Sequence, residues 1–170
     1  MLRAIDPKAL DCNVFSLIGD RWMLITAGNE TACNTMTASW GGLGMLWNLP
    51  VATCYIRPQR YTRTFVERED YFTLNFFTEE YRPQLKLCGT RSGRETDKVK
   101  ECGFTVAAGE GAAPYFEEAE LVLICRKLYH QNLDPAGFTD PALDGKNYPN
   151  HDYHTMYIGE IVAALQKAEA

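Results

Sequence analysis

Leu121-Val122-Leu123-Ile124-Cys125 is the clearest strand in the chain: five consecutive apolar residues, read as a central strand of a sheet. Upstream, the run from Tyr71 to Phe77 is strand-like, and so is Pro50-Val51-Ala52-Thr53-Cys54-Tyr55-Ile56, which ends at Arg57-Pro58. Downstream, His154 opens a strand through Tyr157-Ile158-Gly159-Glu160-Ile161-Val162, and its tail reads equally as strand or as terminal helix. Near the N-terminus, Val14-Phe15-Ser16-Leu17-Ile18 and Trp22-Met23-Leu24-Ile25-Thr26 flank Gly19-Asp20-Arg21, which predicts a hairpin. The helical patterns are short. One starts at Tyr61 with Thr62 as its N-cap, one runs from Glu79 to a stop at Gly89, and one runs from Asp97 to Gly103. Residues 132–152 are rich in Asp, Pro, Gly and Asn and predict a long loop. Many short strands with a few short helices predict a β-rich fold, a barrel with inserted helices. Strands do not alternate with long helices, and no Gly-x-Gly-x-x-Gly opens a helix, which argues against a dinucleotide-binding sheet.

At 170 residues the chain is expected to form a single domain over 1–170. A net charge of −5 argues against nucleic acid as the main partner. No apolar stretch approaches the ~20 residues that span a bilayer, so no membrane partner is expected. Met1-Leu2-Arg3 leads into Asp6-Pro7-Lys8 and not into an apolar leader segment. The six cysteines form no C-x-x-C pair, and the expectation is reduced, mostly buried thiols in a cytoplasmic protein. Three dispersed histidines without clustered carboxylates give no metal site, and no G-x-S-x-G elbow points to hydrolysis.

Four segments carry candidate chemistry. Asn34-Thr35-Met36-Thr37-Ala38-Ser39-Trp40 reads as a polar loop, continued or turned by Gly41-Gly42-Leu43-Gly44. It packs hydrogen-bonding side chains densely and ends on a flat apolar surface, which suits a flavin; it equally suits a Ser/Thr loop closing a barrel end. Arg57-Pro58-Gln59-Arg60-Tyr61-Thr62 places two arginines before a helix start, where anions are favoured, or forms a solvated basic turn. Thr90-Arg91-Ser92-Gly93-Arg94-Glu95-Thr96-Asp97-Lys98 offers hydroxyls and cations without the pattern of a nucleotide P-loop, and reads otherwise as a mobile charged loop. His154 stands before the last strand as a substrate contact or as a capping histidine.

The order of these blocks resembles the flavin reductase-like proteins of the FMN-binding split-barrel class, most of all the flavoredoxin-type branch. The resemblance runs from about residue 12 to residue 165. It is carried by residues 34–40, by Pro50-Val51-Ala52 leading into Ile56 to Thr62, and by Tyr71-Phe72-Thr73-Leu74-Asn75-Phe76. Ser92-Gly93-Arg94 with Asp97-Lys98 follows, and then His154-Thr155-Met156-Tyr157-Ile158-Gly159-Glu160-Ile161. It implies a split β-barrel, a homodimer, and FMN held near the subunit interface. Residues Asn34, Thr35, Met36, Thr37, Ala38, Ser39 and Trp40 would then lie along the ring and ribityl. Thr62 and Lys98 would meet the phosphate end, with Arg57 or Arg60 and Tyr61 nearby and Ser92 and Gly93 bordering it. The run 41–47 departs from many relatives and would reshape the pocket over the flavin; loop 132–152 would cover the substrate side.

The implied activity is electron transfer from NAD(P)H or a redox protein through FMN to an acceptor, with a nicotinamide or free flavin as small-molecule substrate. No residue stands out as a catalytic acid, and His154 is the candidate substrate contact. Two rival readings keep the fold. One is an FMN electron carrier without NAD(P)H activity; the other is a non-catalytic split barrel that binds haem or another ligand.

Overall fold

The computed structural model describes residues 1–168. Ten strands and four short α-helices are present among them. The strands are β1 (Leu2–Ile5), β2 (Met23–Gly28), β3 (Cys33–Ala38), β4 (Gly41–Leu46), β5 (Leu49–Ile56), β6 (Tyr71–Phe76), β7 (Val106–Ala108), β8 (Pro114–Phe116), β9 (Leu121–Asn132) and β10 (Thr155–Lys167). The helices are α1 (Thr62–Arg68), α2 (Arg82–Thr90), α3 (Lys98–Cys102) and α4 (Pro141–Asn147). The main sheet runs β3-β2-β6-β9-β10-β5-β4, with β1 added on β10. All its pairings are antiparallel.

The two ends of that order, β3 and β4, are consecutive in sequence, joined only by Ser39-Trp40. A sheet whose edges are tied by two residues must curl until those edges meet. Among the described residues β3 and β4 share no ladder, so the curl ends in an open seam and not in a closed barrel.

Both faces of β9 are covered over Leu121–Cys125, which explains the unbroken apolar run there. On β2, Met23, Ile25 and Ala27 point into the barrel with Phe72, Leu74, Leu123 and Tyr157. Leu24 points outward into a second cluster with Phe77, Leu85, Phe104, Phe116 and Ile124, beneath α2, α3 and the β7–β8 ribbon. Two buried aromatic pairs, Phe77 with Phe104 and Phe104 with Phe116, stack at 5.2 and 4.7 Å between centroids. Gly159 on β10 sits where a Cβ would meet the Phe72 ring and Cys125 at 2.8 Å. A glycine is required there for the barrel interior to close.

Several expectations from the sequence are corrected. Val14 to Ile18 is not a strand, so the predicted hairpin is absent: Ser16–Asp20 is a π-helical turn. The adjacent Leu17 and Ile18 are both buried against one core, which a helical turn allows and a half-buried strand does not. Asn13 fixes this turn, its Oδ1 accepting from the backbone N–H groups of Phe15 and Ser16. Residues 34–38 are not a loop but most of β3, and residues 41–46 form β4. Thr62 does not cap α1; Tyr61 occupies that place and Thr62 is the first helical residue. Gly89 lies within α2, which ends at Thr90. Segment 132–152 contains a 3-10 turn and α4, each opened by an Asp that caps it, Asp134 and Asp140. The tail beyond Ala163 continues as strand to Lys167. Only three cysteines are buried, Cys54, Cys88 and Cys125; Cys12 is exposed, while Cys33 and Cys102 are half-buried. No helix among the described residues is long and apolar enough to cross a membrane.

Candidate cofactor site

The candidate site lies along the edge of β3 that β2 does not pair, facing segment 57–62, the end of α2 and the start of β10. Among the described residues, strand β3 pairs with β2 on one side and its other edge has no strand partner. Successive residues of a strand direct their backbone groups alternately, so every second residue of β3 presents N–H and C=O to that free edge. Thr35 does so: its carbonyl accepts from Lys98 Nζ at 2.8 Å. By the same period Thr37 offers its backbone groups two residues on. The strand tolerates its polar side chains because each finds a partner. Thr26 and Thr35 share a hydrogen bond of 2.8 Å across β2 and β3, Thr37 donates to the Leu85 carbonyl, and Asn34 Nδ2 donates to Thr62 Oγ1 at 2.7 Å.

Two cavities lie along this edge and share Arg60. The first, about 220 Å³, is lined by residues 36–40 together with Tyr55, Arg57, Arg60 and His154. The second, about 150 Å³, is lined by residues 59–62, 90–93 and Lys98. The first holds the rings of Trp40, Tyr55 and His154 together with Arg57 and Arg60, and the second gathers hydroxyls with Arg60, Arg91 and Lys98. A larger cavity of about 630 Å³ lies beyond Asn34, Gly93 and Lys98, and its charged lining is balanced, Glu30, Glu95 and Asp97 against Arg94, Lys98 and Lys100.

The cationic end is built on the last turn of α2. Helix C-termini leave carbonyls without intrahelical donors, and cations are favoured there. Arg60 donates to Gly89 O at 2.8 Å and Cys88 O at 3.4 Å, and Lys98 donates to Cys88 O at 2.9 Å. Lys98 thereby bridges α2 and β3. Burial pushes its ammonium down to about 8, and burial also lowers the Arg60 guanidinium. An ammonium has three donors, so Lys98 keeps one beyond these two bonds. Lys98 is placed by its own helix: Asp97 caps α3, its Oδ1 accepting from the Lys100 N–H at 3.1 Å. Gly93 abuts the Asn34 amide, and any Cβ there would overlap the Asn34 oxygen.

The aromatic end is built on β10 and the preceding segment. His154 is buried, with Nδ1 2.7 Å from the Tyr148 hydroxyl and its ring edge-on to Trp40 at 5.3 Å. Burial, with Arg57 adding to it, pushes its imidazole down to about 4, so the ring is neutral at physiological pH. Arg57 lies over the Tyr148 ring at 5.1 Å and donates to Asp152 and to the Asn147 carbonyl. The structure therefore separates the two arginines. Arg57 belongs to the His154 end, and Arg60 alone lines both cavities. Tyr148 and Asp152 were not singled out in the sequence, since they lie in a segment whose composition reads only as loop. Their signal is that segment's density of aromatic and acidic side chains just before His154. The run 41–47 does not cover the cavity with a loop; it pairs with β5 and turns through Trp47 and Asn48, both at positive φ.

Residues 15–170 match the family described as "Flavin reductase like domain". The chain belongs to this family. Solved structures of similar shape include flavoredoxin from Methanosarcina acetivorans, with 24% identity and a TM-score of 0.68 over 86% of this chain and 68% of that one. An FMN-binding domain of a flavin reductases-like enzyme from Shewanella baltica gives 19% and 0.69 over 98% and 77%. A Shewanella frigidimarina protein with a split barrel domain gives 19% and 0.68 over 96% and 78%. No curated protein matches the sequence. This flavin reductase-like chain thus has the mainly β split-barrel fold.

Proposed function

We propose that this flavin reductase-like protein binds FMN along the free edge of β3 and works as an oxidoreductase. The observation that carries the reading is the polarity of the cleft. An aromatic cavity and a cationic cavity adjoin through Arg60 on one unpaired strand edge, matching a flat ring at one end and a phosphate at the other. The donor set fits the group. Thr37 and its neighbours would meet the polar edge of the ring, Trp40 would cover its apolar side, and Ser92, Arg60 and Lys98 would hold the phosphate, with Thr62 and Tyr61 completing that end.

FMN, when bound, supplies reversible one- and two-electron chemistry at its ring. The residues of the chain do the rest. Lys98 and Arg60 supply positive charge beside the phosphate. Trp40 and the Tyr148–His154 pair shape the space over the ring where a nicotinamide donor would stack. His154 is neutral there and keeps Nε2 as its remaining polar atom. We propose NAD(P)H as electron donor and a homodimer as the working form. Support for the dimer is an exposed apolar edge: Met45 and Trp47 at the end of the β4–β5 hairpin are 58% and 66% exposed. We further propose a cytoplasmic setting.

Anaerobic titration of the FMN-loaded protein with NADH and with NADPH tests the donor. Bleaching of the flavin band by one of them within seconds is expected. A band that bleaches with dithionite but with neither nucleotide would instead support the carrier reading.

A further inference from the structure

Cys88 and Cys102 stand sulfur to sulfur at 3.7 Å, one on α2 and the other closing α3. Cys88 is fully buried and Cys102 is half-buried, so solvent reaches the pair through Cys102. Cys102 Sγ also lies 3.9 Å from the Gln84 carbonyl. Gly103, which follows Cys102, is in the left-handed conformation that ends α3. The carbonyl of Cys88 accepts from both Lys98 and Arg60.

We propose that Cys88 and Cys102 are an oxidisable pair, a modification site that closes as a disulfide and clamps α2 onto α3 behind the cationic end of the cleft. A disulfide needs sulfurs ~2.05 Å apart, so the two must approach by roughly 1.7 Å, through side-chain rotation and a small slide of α3. The roles follow from exposure and charge. Either thiol can donate in the bond between them; with the proton on the buried Cys88, the bond and the nearby Lys98 cation draw the Cys102 thiol down, and the same bond and burial push Cys88 up.

The oxidant is a peroxide. Cys102 thiolate attacks one oxygen of hydrogen peroxide, the O–O bond breaks and hydroxide leaves, giving a sulfenic acid. The Cys88 sulfur then attacks the Cys102 sulfur, the S–O bond breaks, and the hydroxyl departs as water with the Cys88 proton. Two thiols lose two electrons in all, and one peroxide becomes two waters. Reduction by a thiol restores the pair. The effect on the cleft rests on the FMN reading: drawing Cys88 toward α3 displaces the carbonyl that anchors Arg60 and Lys98. FMN affinity is then expected to fall by about fivefold, at the lower end of ordinary coupling between sites.

The test treats the purified chain with hydrogen peroxide, blocks free thiols and maps peptides by mass. The expected result is a peptide pair joined through Cys88 and Cys102 that dithiothreitol releases. In Cys88→Ser, Cys102 is expected to become trappable by dimedone as a sulfenic acid, and Cys102→Ser is expected to form no cross-link. Separate overoxidation of Cys102 with Cys88 still a thiol in the native chain, or pairing with another cysteine instead, would overturn the proposal. FMN titration of the oxidised and reduced forms reads the coupling. Equal affinities would overturn the clamp's effect on the cleft. A cross-link in a protein that binds FMN in neither state would overturn the cofactor reading and leave the pair standing.

Discussion

Gly93 and His154 show how single residues set the two ends of the cleft. Gly93 is where the loop before α3 presses on Asn34, and Asn34 in turn holds Thr62. Gly93→Ala must push the Asn34 amide aside. Loss of roughly one order of magnitude in FMN affinity, about 1.4 kcal/mol, is expected in an equilibrium titration, with Ser92→Ala losing less. Unchanged binding by Gly93→Ala would show that Asn34 and Gly93 do not form this wall. His154 gives a pH signature. Its folded value, about 4, lies below the ordinary 6.5, so the folded chain holds fewer protons than the unfolded one between those values. Stability is therefore fully present above about 6.5 and is lost as the pH falls through that window toward 4. Thermal midpoints measured across it should fall more steeply for the native protein than for His154→Gln. Equal slopes would mean that His154 titrates as if in water.

At the scale of elements, α3 exists to present Lys98. A five-residue helix has little stability of its own, and Asp97 supplies its cap. Asp97→Ala is expected to cost about 1 kcal/mol in denaturant unfolding, as loss of an N-cap ordinarily does, and to weaken FMN binding as Lys98 loosens. This helix was legible in the sequence, since both the Asp97 cap and the Gly103 stop are strong local signals. So were β5, β6 and the core of β9. Strand β3 was not. Asn, Thr and Ser are turn formers on local grounds, and only Thr26 on the neighbouring strand, with Lys98 and Leu85 far off in sequence, turns that polarity into a satisfied edge strand. Residues 14–18 misled in the opposite sense. Their β-branched and aromatic side chains suit a strand, while Asn13 closes a helical turn beneath them. In the candidate site, the resemblance names residues 34–40, Thr62, Gly93 and Lys98 together, and the structure brings them to adjoining cavities. The partition of Arg57 from Arg60 was not legible, because it depends on Asp152 and Asn147, some ninety residues away.

The whole molecule is a sheet whose two edge strands are consecutive in the chain, and the cleft lies along the free edge of β3, two residues from the β4–β5 hairpin. This makes the site sensitive to the neighbouring hairpin. If a second copy packs on the exposed end of β4, Trp47→Glu should halve the mass seen by sedimentation while leaving the circular dichroism unchanged. An unaltered mass would move the interface elsewhere. Because a ligand stabilises the state that binds it, FMN at a hundredfold excess over its dissociation constant should add about 2.7 kcal/mol to unfolding. The most direct measurement is titration of the flavin-free protein with FMN, followed by flavin fluorescence and visible absorbance. Saturation at one FMN per chain is expected, with quenched fluorescence where the ring meets Trp40, and with weaker binding in Lys98→Met. A spectrum identical to that of free FMN at every protein concentration would contradict the account.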